Sequence, residues 1–226
     1  MKQLTPKNLI FLIGFVLFVW IGSKINFSAL TGSPNQFFTL VQFFGPIAGG
    51  VLGPVFGFLT VLVANAIGLI TRNTSIGLVD VLRLLPLAGA AVYFGMKEKK
   101  TSALVALIAM AVFVLHPVGR QVWFFSLFWT IPMISAFFPK ILLLRSLGAT
   151  MTAHAIGGAI WVWTIPMTAD MWIALIPVVI FERALFTLGI AGSYIGTTTL
   201  LDKFEQWTGI DLVELERKYA LFKVKG

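Results

Sequence analysis

Long apolar runs dominate this chain and narrow what it can fold into. They are broken by polar or proline-bearing joints and cover residues 8–24, 36–50, 53–71, 76–96, 102–116, 121–138, 141–165 and 171–201. A helix needs about 20 apolar residues to cross a bilayer. Only 12% of the residues are charged, against about 25% in a soluble domain. The sequence therefore predicts an all-α fold, a polytopic transmembrane helical bundle.

The number of spans is six or eight. Runs 36–50 and 102–116 are short for a span. Runs 36–50 and 53–71 are separated only near Val51, so they also fit a re-entrant hairpin, which leaves six spans. In either case we predict one bundle domain over residues 1–201.

The remaining residues, 202–226, form a charged and amphipathic tail. Asp211 followed by Glu214 has the spacing of a capping box, which predicts a short helix over 211–222. We expect the tail to lie in the cytoplasm, on the inner membrane surface or on a partner.

Positive charges predict the orientation. With the N-terminus inside, 12 of the 17 lysines and arginines fall on the inner side, whereas Lys24, Arg72 and Arg120 fall outside and Arg83 and Arg183 fall within spans. Inner loops of membrane proteins carry this excess. We therefore expect a multi-pass protein of the cell membrane with both termini cytoplasmic. The net charge of +8 then reflects topology and not binding to nucleic acid.

Polar and aromatic residues in or near the spans are the candidate substrate-binding residues. A charge inside the bilayer is expensive, so each such group needs a partner or a function. All of the candidates map to the outer or central level, which favours a cavity that opens outward. They are Asn65, Asp80, Arg83, His116, Arg120, His154, Trp161, Glu182 and Arg183.

Structural roles stay open for the same residues. Asp80 and Arg83 lie one turn apart and can form an ion pair within one helix. Glu182 can be neutralised by Arg83 from another helix. Neighbours such as Glu182 and Arg183 point about 100° apart and are not expected to face one another. His154 can be a hydrogen-bonded core residue.

Tryptophan is concentrated in the predicted outer half of the bundle. An interfacial aromatic belt accounts for this pattern, and an aromatic wall around an outward-opening pocket is the alternative. Trp161 and Trp163 are two apart on one helix and cannot share a face, so at most one of them lines a pocket.

No pattern in the chain indicates an enzyme. There is no cysteine, and the two histidines, His116 and His154, are far apart, which argues against a zinc site. Asp80, Asp170 and Glu182 are too scattered to resemble the acidic clusters of lipid-modifying transferases. We expect no catalytic centre, no metal and no other cofactor.

Two segments resemble each other and indicate a parallel internal repeat. Val-Ala-Asn-Ala-Ile-Gly at 63–68 is similar to Thr-Ala-His-Ala-Ile-Gly at 152–157, and both would run from inside to outside. Coincidence among common membrane residues is the alternative. A true repeat would bring Asn65 and His154 together near the pseudo-axis.

Glycine recurs every four residues at Gly45, Gly49, Gly53 and Gly57. Small residues at this spacing let helix backbones approach closely. The run predicts close packing through a tight inner turn, with homodimerisation as the alternative.

The glycines belong to a longer pattern that is carried by Phe43-Phe44-Gly45-Pro46, Val51-Leu52-Gly53-Pro54-Val55-Phe56-Gly57 and Ala64-Asn65-Ala66-Ile67-Gly68. This pattern resembles the second and third helices of the substrate-binding (S) components of energy-coupling-factor (ECF) vitamin transporters. The resemblance implies a hydrophobic bundle with cytoplasmic termini that captures a vitamin or similar small molecule from outside. An energising membrane subunit and two ATPases would then drive its release.

The residues alone also favour solute binding or transport. The outer half holds more arginine than acid, which favours an anionic solute, and the resemblance to the S components implies a vitamin-like one. Rival classes are a membrane-embedded enzyme acting on a lipid and a structural subunit of a membrane complex.

The orientation can be tested with cysteines, because the chain has none of its own. With both termini inside, Glu98→Cys should react with an impermeant thiol reagent only after the membrane is opened, and Thr168→Cys should react in intact cells. Labelling of position 98 from outside would overturn the predicted topology.

Overall fold

The computed structural model describes residues 6–29, 37–71, 75–96 and 100–221. The described residues are mostly helical, with one short antiparallel hairpin of β1 (Asn26–Ala29) and β2 (Phe37–Thr39). Trp123–Trp129 and Arg217–Tyr219 are 3-10 helices. The α-helices are α1 (Pro6–Gly22), α2 (Val41–Phe44), α3 (Ile47–Leu52), α4 (Pro54–Ile70), α5 (Leu78–Leu82), α6 (Leu84–Gly95), α7 (Lys100–Leu115), α8 (Pro117–Gln121), α9 (Thr130–Ser135), α10 (Leu142–Thr164) and α11 (Ala169–Thr208). The all-α prediction is confirmed.

Two helical segments are long and apolar enough to cross a membrane. They are Leu78–Gly95, with 18 residues, and Ala169–Thr208, with 40 residues. Other apolar helices in the described residues are shorter, at 10–17 residues. Arg72, residues 97–99 and residues 222–226, on which part of the predicted orientation rests, lie outside the described ranges.

The predicted run 36–50 is not one straight helix. Its first residues belong to β2, and the rest form the short helices α2 and α3. α3 ends at Gly53, whose φ of +85° turns the chain, and Pro54 begins α4. Proline is favoured at this first helical position because no hydrogen bond is lost there. α3 and α4 pack against each other as a helical hairpin.

Helix α6 lies at the centre of the bundle. It packs against α3 and α4 on one side and against α10 on the other, while α10 also contacts α7 and α11. One apolar core joins α6 to the α3–α4 hairpin and α1, and includes Ile47 and Phe94. A second core joins α7, α10 and α11 around Phe113 and Trp129.

The glycine run places bare backbone against bare backbone. A Cβ atom on Gly49 would lie 1.7 Å from the carbonyl oxygen of Ala91 in α6. A Cβ atom on Gly57 would lie 2.4 Å from Gly49 Cα, and one on Gly95 would lie 2.4 Å from Gly49 O. Close packing is therefore confirmed at Gly49. At Gly53 the prediction of close packing is wrong, because no described atom beyond its two chain neighbours lies within 4 Å of a Cβ there.

Substitutions at Gly49 and at Gly53 should lower stability for different reasons. Gly49→Ala forces α3 away from α6 and should lower the free energy of unfolding by about 1–3 kcal/mol or more. Gly53→Ala should cost about 1–3 kcal/mol, because its φ of +85° with ψ of 167° lies in a region that essentially only glycine adopts. Chemical unfolding in detergent measures both.

Gly192→Ala is the matched control, since Gly192 lies in α11 with open space around it. Alanine should leave stability unchanged or raise it by up to about 1 kcal/mol. A Gly49→Ala protein as stable as this control would contradict the packing account.

The C-terminal tail does not form the predicted helix. α11 continues past residue 201 to Thr208 and ends at Gly209, whose φ is +69°. In the described part of the tail, 209–221, only the 3-10 turn Arg217–Tyr219 is helical. The predicted helix over 211–222 is wrong because contacts with the bundle hold this segment in an irregular path.

Those contacts centre on Arg145, which is buried at the start of α10. Its Nε donates to the carbonyl oxygen of Phe94 at 2.7 Å, and its Nη1 pairs with Glu216 Oε1 at 2.5 Å. The guanidinium also lies over the rings of Phe94 and Tyr194, at 4.1 and 5.3 Å from their centroids. The Tyr194 hydroxyl donates to Glu216 at 3.0 Å. One cation thus joins α6, α10, α11 and the tail.

The tail contact should depend on pH. Burial alone would raise the pKa of Glu216, but the hydrogen bond and charge of Arg145 outweigh it and hold the pKa below its ordinary value of 4.5. A lowered carboxyl pKa stabilises the docked tail at neutral pH. This stabilisation is lost as the pH falls below 4.5 and through the folded-state pKa.

Limited proteolysis of the tail tests this dependence. Cleavage within 209–221 should be slow at pH 7 and should accelerate in acid, while Glu216→Gln should be cleaved readily already at pH 7. Asp211→Asn is the matched control, since Asp211 is an exposed carboxylate of the same tail. If Glu216→Gln were protected as well as the wild-type protein, the ion pair would not hold the tail.

Candidate functional site

A cavity of about 170 Å³ lies between β2, α6, α10 and α11. Its walls are mainly apolar and include the rings of Phe38, Phe125, Trp161 and Trp172. The polar residues that line it are Gln42, Arg83, His154, Glu182 and Arg183. Its size is close to that of the roughly 150 Å³ protein cavity that accommodates benzene. It therefore suits a group about as large as one substituted aromatic ring.

Five of the nine predicted site residues line this cavity. Arg83 comes from the junction of α5 and α6, His154 and Trp161 from α10, and Glu182 and Arg183 from α11. These elements meet because α10 packs against both α6 and α11. The fold thus joins residues that are up to a hundred positions apart in sequence.

The other four predicted residues lie elsewhere. Asp80 accepts a hydrogen bond from the backbone N–H of Gly77 at 3.0 Å and caps α5. His116 caps α8 by accepting from the N–H of Val118 at 3.2 Å. Arg120 is exposed in α8, and Asn65 is half-buried in α4.

The predicted meeting of Asn65 and His154 depends on α4 and α10 approaching each other. α6 instead packs against both of these helices. Asn65 is not among the residues that line the cavity, whereas His154 is. The internal repeat, if present, does not give the two copies equivalent roles at this site.

Trp161 and Trp163 take different environments, as their spacing predicts. Trp161 lines the cavity, and the Arg83 guanidinium lies 5.8 Å from its ring centroid. Trp163 is 55% exposed and donates to the carbonyl oxygen of Val112 at 3.0 Å. Trp129 and Trp172, in contrast, are almost completely buried. Some tryptophans, such as Trp161 and Trp172, therefore form part of the cavity wall, whereas Trp163 forms part of the outer surface.

Glu182 and Arg183 form an ion pair, contrary to the expectation that they would not face one another. Arg183 Nη2 lies 3.2 Å from Glu182 Oε2, and both side chains are buried. The backbone directions do differ by about 100°. The long side chains close this gap because both are buried and a buried charge needs a partner.

The Arg183 guanidinium is held by several groups but is not saturated. Its Nη1 contacts Thr150 Oγ1 at 3.4 Å, and its plane lies 4.7 Å from the ring centroid of Phe186 and 5.2 Å from that of Phe38. Its Nε–H is buried and has no acceptor among the described residues. A buried donor of this kind normally has a partner in proteins.

His154 presents a donor to the cavity. Its Nδ1 accepts a hydrogen bond from Trp129 Nε1 at 3.1 Å. Since an indole N–H can only donate, Nδ1 carries no proton, and the proton of the neutral imidazole sits on Nε2. Trp129 therefore fixes the tautomer of His154.

Trp172 supplies a further donor. It is 2% exposed, lines the cavity, and its Nε1–H has no acceptor among the described residues. Together with Arg183 Nε, it makes two buried N–H groups at this cavity for which the described ranges offer no acceptor. Such an arrangement is suited to a ligand that brings oxygen acceptors.

Sequence reasoning missed Phe38, Gln42, Trp129 and Trp172. Phe38 and Gln42 lie in the run 36–50, for which the sequence predicts a short span or part of a re-entrant hairpin, whereas the structure places Phe38 in β2 and Gln42 in α2. Trp129 and Trp172 belong to the tryptophans of the predicted outer half. A single sequence does not show, however, which acceptor an indole N–H will meet.

Among the described residues, no group of three histidine or acidic side chains is placed to hold a metal ion. Comparison with known proteins finds no matching family model, no similar curated protein and no similar solved structure.

Proposed function

We propose that this protein is a multi-pass protein of the cell membrane that binds a small anionic solute from the outer side. It would act as the substrate-binding subunit of a larger transporter. The observation that carries the proposal is the buried Arg183, whose Nε–H has no acceptor in the described part of the chain and which lines a cavity walled by aromatic rings.

Membrane insertion is supported by the surface of the bundle. Large apolar side chains are exposed along α1, α4 and α11, for example Ile10, Ile70, Phe181 and Leu188. A soluble monomer rarely exposes apolar patches of such extent. Together with the two span-length helices and the charge asymmetry, this favours a bundle that crosses the bilayer several times.

The bundle's two ends differ in a way that supports an outward-facing cavity. Lys24 at the end of α1 donates to Thr71 at the end of α4, at 3.2 Å. On this side lie the β-hairpin and the start of α11 with Trp172. Arg145, Lys140 and the tail lie at the opposite end. With cytoplasmic termini, the cavity opens toward the outside.

The chemistry of the lining supports an anionic solute with a flat apolar body. A guanidinium binds a carboxylate through parallel hydrogen bonds, and Arg183 Nε together with a neighbouring amino group offers such a pair of donors. Trp172 Nε1 and His154 Nε2 can donate to other oxygen atoms of the solute. The aromatic walls favour stacking on a ring.

The transporter role rests on the sequence resemblance to S components of ECF transporters. On this proposal, the solute is vitamin-like, and an energising membrane subunit and ATPases act as partners. The chain has no nucleotide-binding loop of its own. An enzyme acting on a lipid and a structural subunit are the rival classes.

Binding of benzoate, compared with the neutral benzamide, tests the proposal. Titration calorimetry on the purified protein should show benzoate binding that Arg183→Lys weakens at least about tenfold, since lysine keeps a positive charge for Glu182 but lacks the Nε donor. Arg83→Gln and Trp161→Phe should also weaken binding.

Trp163→Phe is the control for Trp161→Phe, because Trp163 lies outside the cavity. Native mass spectrometry of gently purified protein should in addition reveal a co-purified acid. Equal benzoate affinity in the wild-type and Arg183→Lys proteins, with folding intact, would contradict the proposed site. Turnover of a lipid that is lost in Glu182→Gln would favour the enzyme.

A further inference from the structure

Two buried N–H donors of helix α11 lie at the cavity. Arg183 and Trp172 are 3% and 2% exposed, and neither Arg183 Nε nor Trp172 Nε1 has an acceptor among the described residues. Both side chains line the cavity. Because buried donors in proteins are normally paired, the cavity offers two places for the oxygen atoms of a ligand.

Helix geometry separates these two places. Positions 172 and 183 are both in α11, so they share one helix face, three turns and about 16 Å of rise apart. Both side chains are long, so their N–H groups can lie closer together than this rise. From position 175 to position 179, α11 lines the cavity with the apolar Leu175, Val178 and Val179. A polar group therefore lies at each end of an apolar stretch.

Different neighbours hold each donor in place. The Arg183 guanidinium contacts Thr150 Oγ1 of α10 at 3.4 Å. The Trp172 ring packs against the rings of Phe113 and Phe125, whose centroids lie 5.0 and 4.9 Å away. These neighbours belong to other parts of the bundle than Thr150 does. The two N–H groups therefore suit two separate functional groups of one ligand.

The two donors also differ in charge. A guanidinium binds a carboxylate through parallel hydrogen bonds, whereas an indole N–H is neutral and suits a neutral oxygen acceptor. The charged lining residues are Arg83, Arg183 and Glu182, which together carry one net positive charge. This charge balances one carboxylate of a ligand. A second buried carboxylate would lack compensation and would be costly.

We propose that the solute is an elongated monocarboxylate with an apolar body and a neutral oxygen acceptor at the end opposite its acid. The carboxylate pairs with Arg183, the body lies along the apolar stretch of α11, and the far oxygen accepts a hydrogen bond from Trp172 Nε1. This inference rests on the proposed function, because it requires an anion at Arg183. It adds the orientation of the solute and its second polar group.

Arg83 provides the competing orientation. Its guanidinium lies 5.8 Å from the ring centroid of Trp161, and both residues line the same cavity. An acid bound by Arg83 would leave Arg183 to receive the neutral oxygen. The two orientations therefore differ in which donor recognises the acid and which recognises the neutral acceptor.

Two substituted benzoates of similar shape test the second donor. In 4-acetylbenzoate a ketone oxygen lies opposite the acid, and 4-isopropenylbenzoate has a CH2 group in place of that oxygen. Titration calorimetry on the purified wild-type protein should show at least about fivefold tighter binding of the acetyl compound, because the isopropenyl compound leaves the Trp172 N–H unpaired.

Substitutions assign the two ends. Trp172→Phe keeps an aromatic ring without the N–H and should abolish the preference for the acetyl compound. Trp163→Phe is the matched control, since Trp163 lies outside the cavity, and it should keep the preference. Arg183→Lys should weaken binding of both compounds by the same factor and should also keep the preference.

The outcomes separate this inference from the proposed function. Equal or tighter binding of the isopropenyl compound by the wild-type protein would overturn the second donor and leave the anion site standing. A preference that persists in Trp172→Phe would overturn the role of Trp172, and one that disappears in Arg183→Lys would overturn the orientation. Failure of benzoate and of both substituted compounds to bind would overturn the anion site itself. The wild-type comparison remains decisive should a variant fold poorly.

Discussion

The contact between Gly49 and Ala91 is the constraint on which the rest of the structure depends. It brings α3 so close to α6 that no Cβ atom fits between them. α6 is thereby fixed at the centre, with α4 on one side and α10 on the other. The two ends of α6 then contribute to the two ends of the bundle. Arg83 reaches the cavity at one end, and the Phe94 carbonyl receives Arg145 at the other.

The two ends of the bundle surround a buried arginine with different sets of groups. Arg145 has a carbonyl oxygen, a carboxylate and two aromatic faces around it, so its site is closed by the protein's own groups. Arg183 has a carboxylate and two aromatic faces as well, but no acceptor for its Nε–H is found among the residues that the structure describes. The saturated site ties the tail to the bundle. The unsaturated site is the one that lies at a cavity.

Long charged side chains account for two differences between the sequence-based predictions and the structure. Glu182 and Arg183 were not expected to pair, because helix geometry gives the directions of Cβ atoms and not the paths of long side chains. The tail was expected to be helical from the local spacing of Asp211 and Glu214. Glu216 instead joins Arg145, which is 71 residues away in the sequence. Local propensity is a weak guide where such a distant charge competes.

The sequence by itself determined the helical class, the apolar surface and the set of residues from which a site could be made. These follow from composition and from periodicity along the chain. Only the tertiary structure decided that Arg83, His154 and Glu182 share a cavity, while Asp80 and His116 cap helices. Which residues share the cavity depends on which helices contact each other. Those contacts depend in turn on steric features such as the absence of a Cβ atom at Gly49. A pattern along one chain does not record that detail.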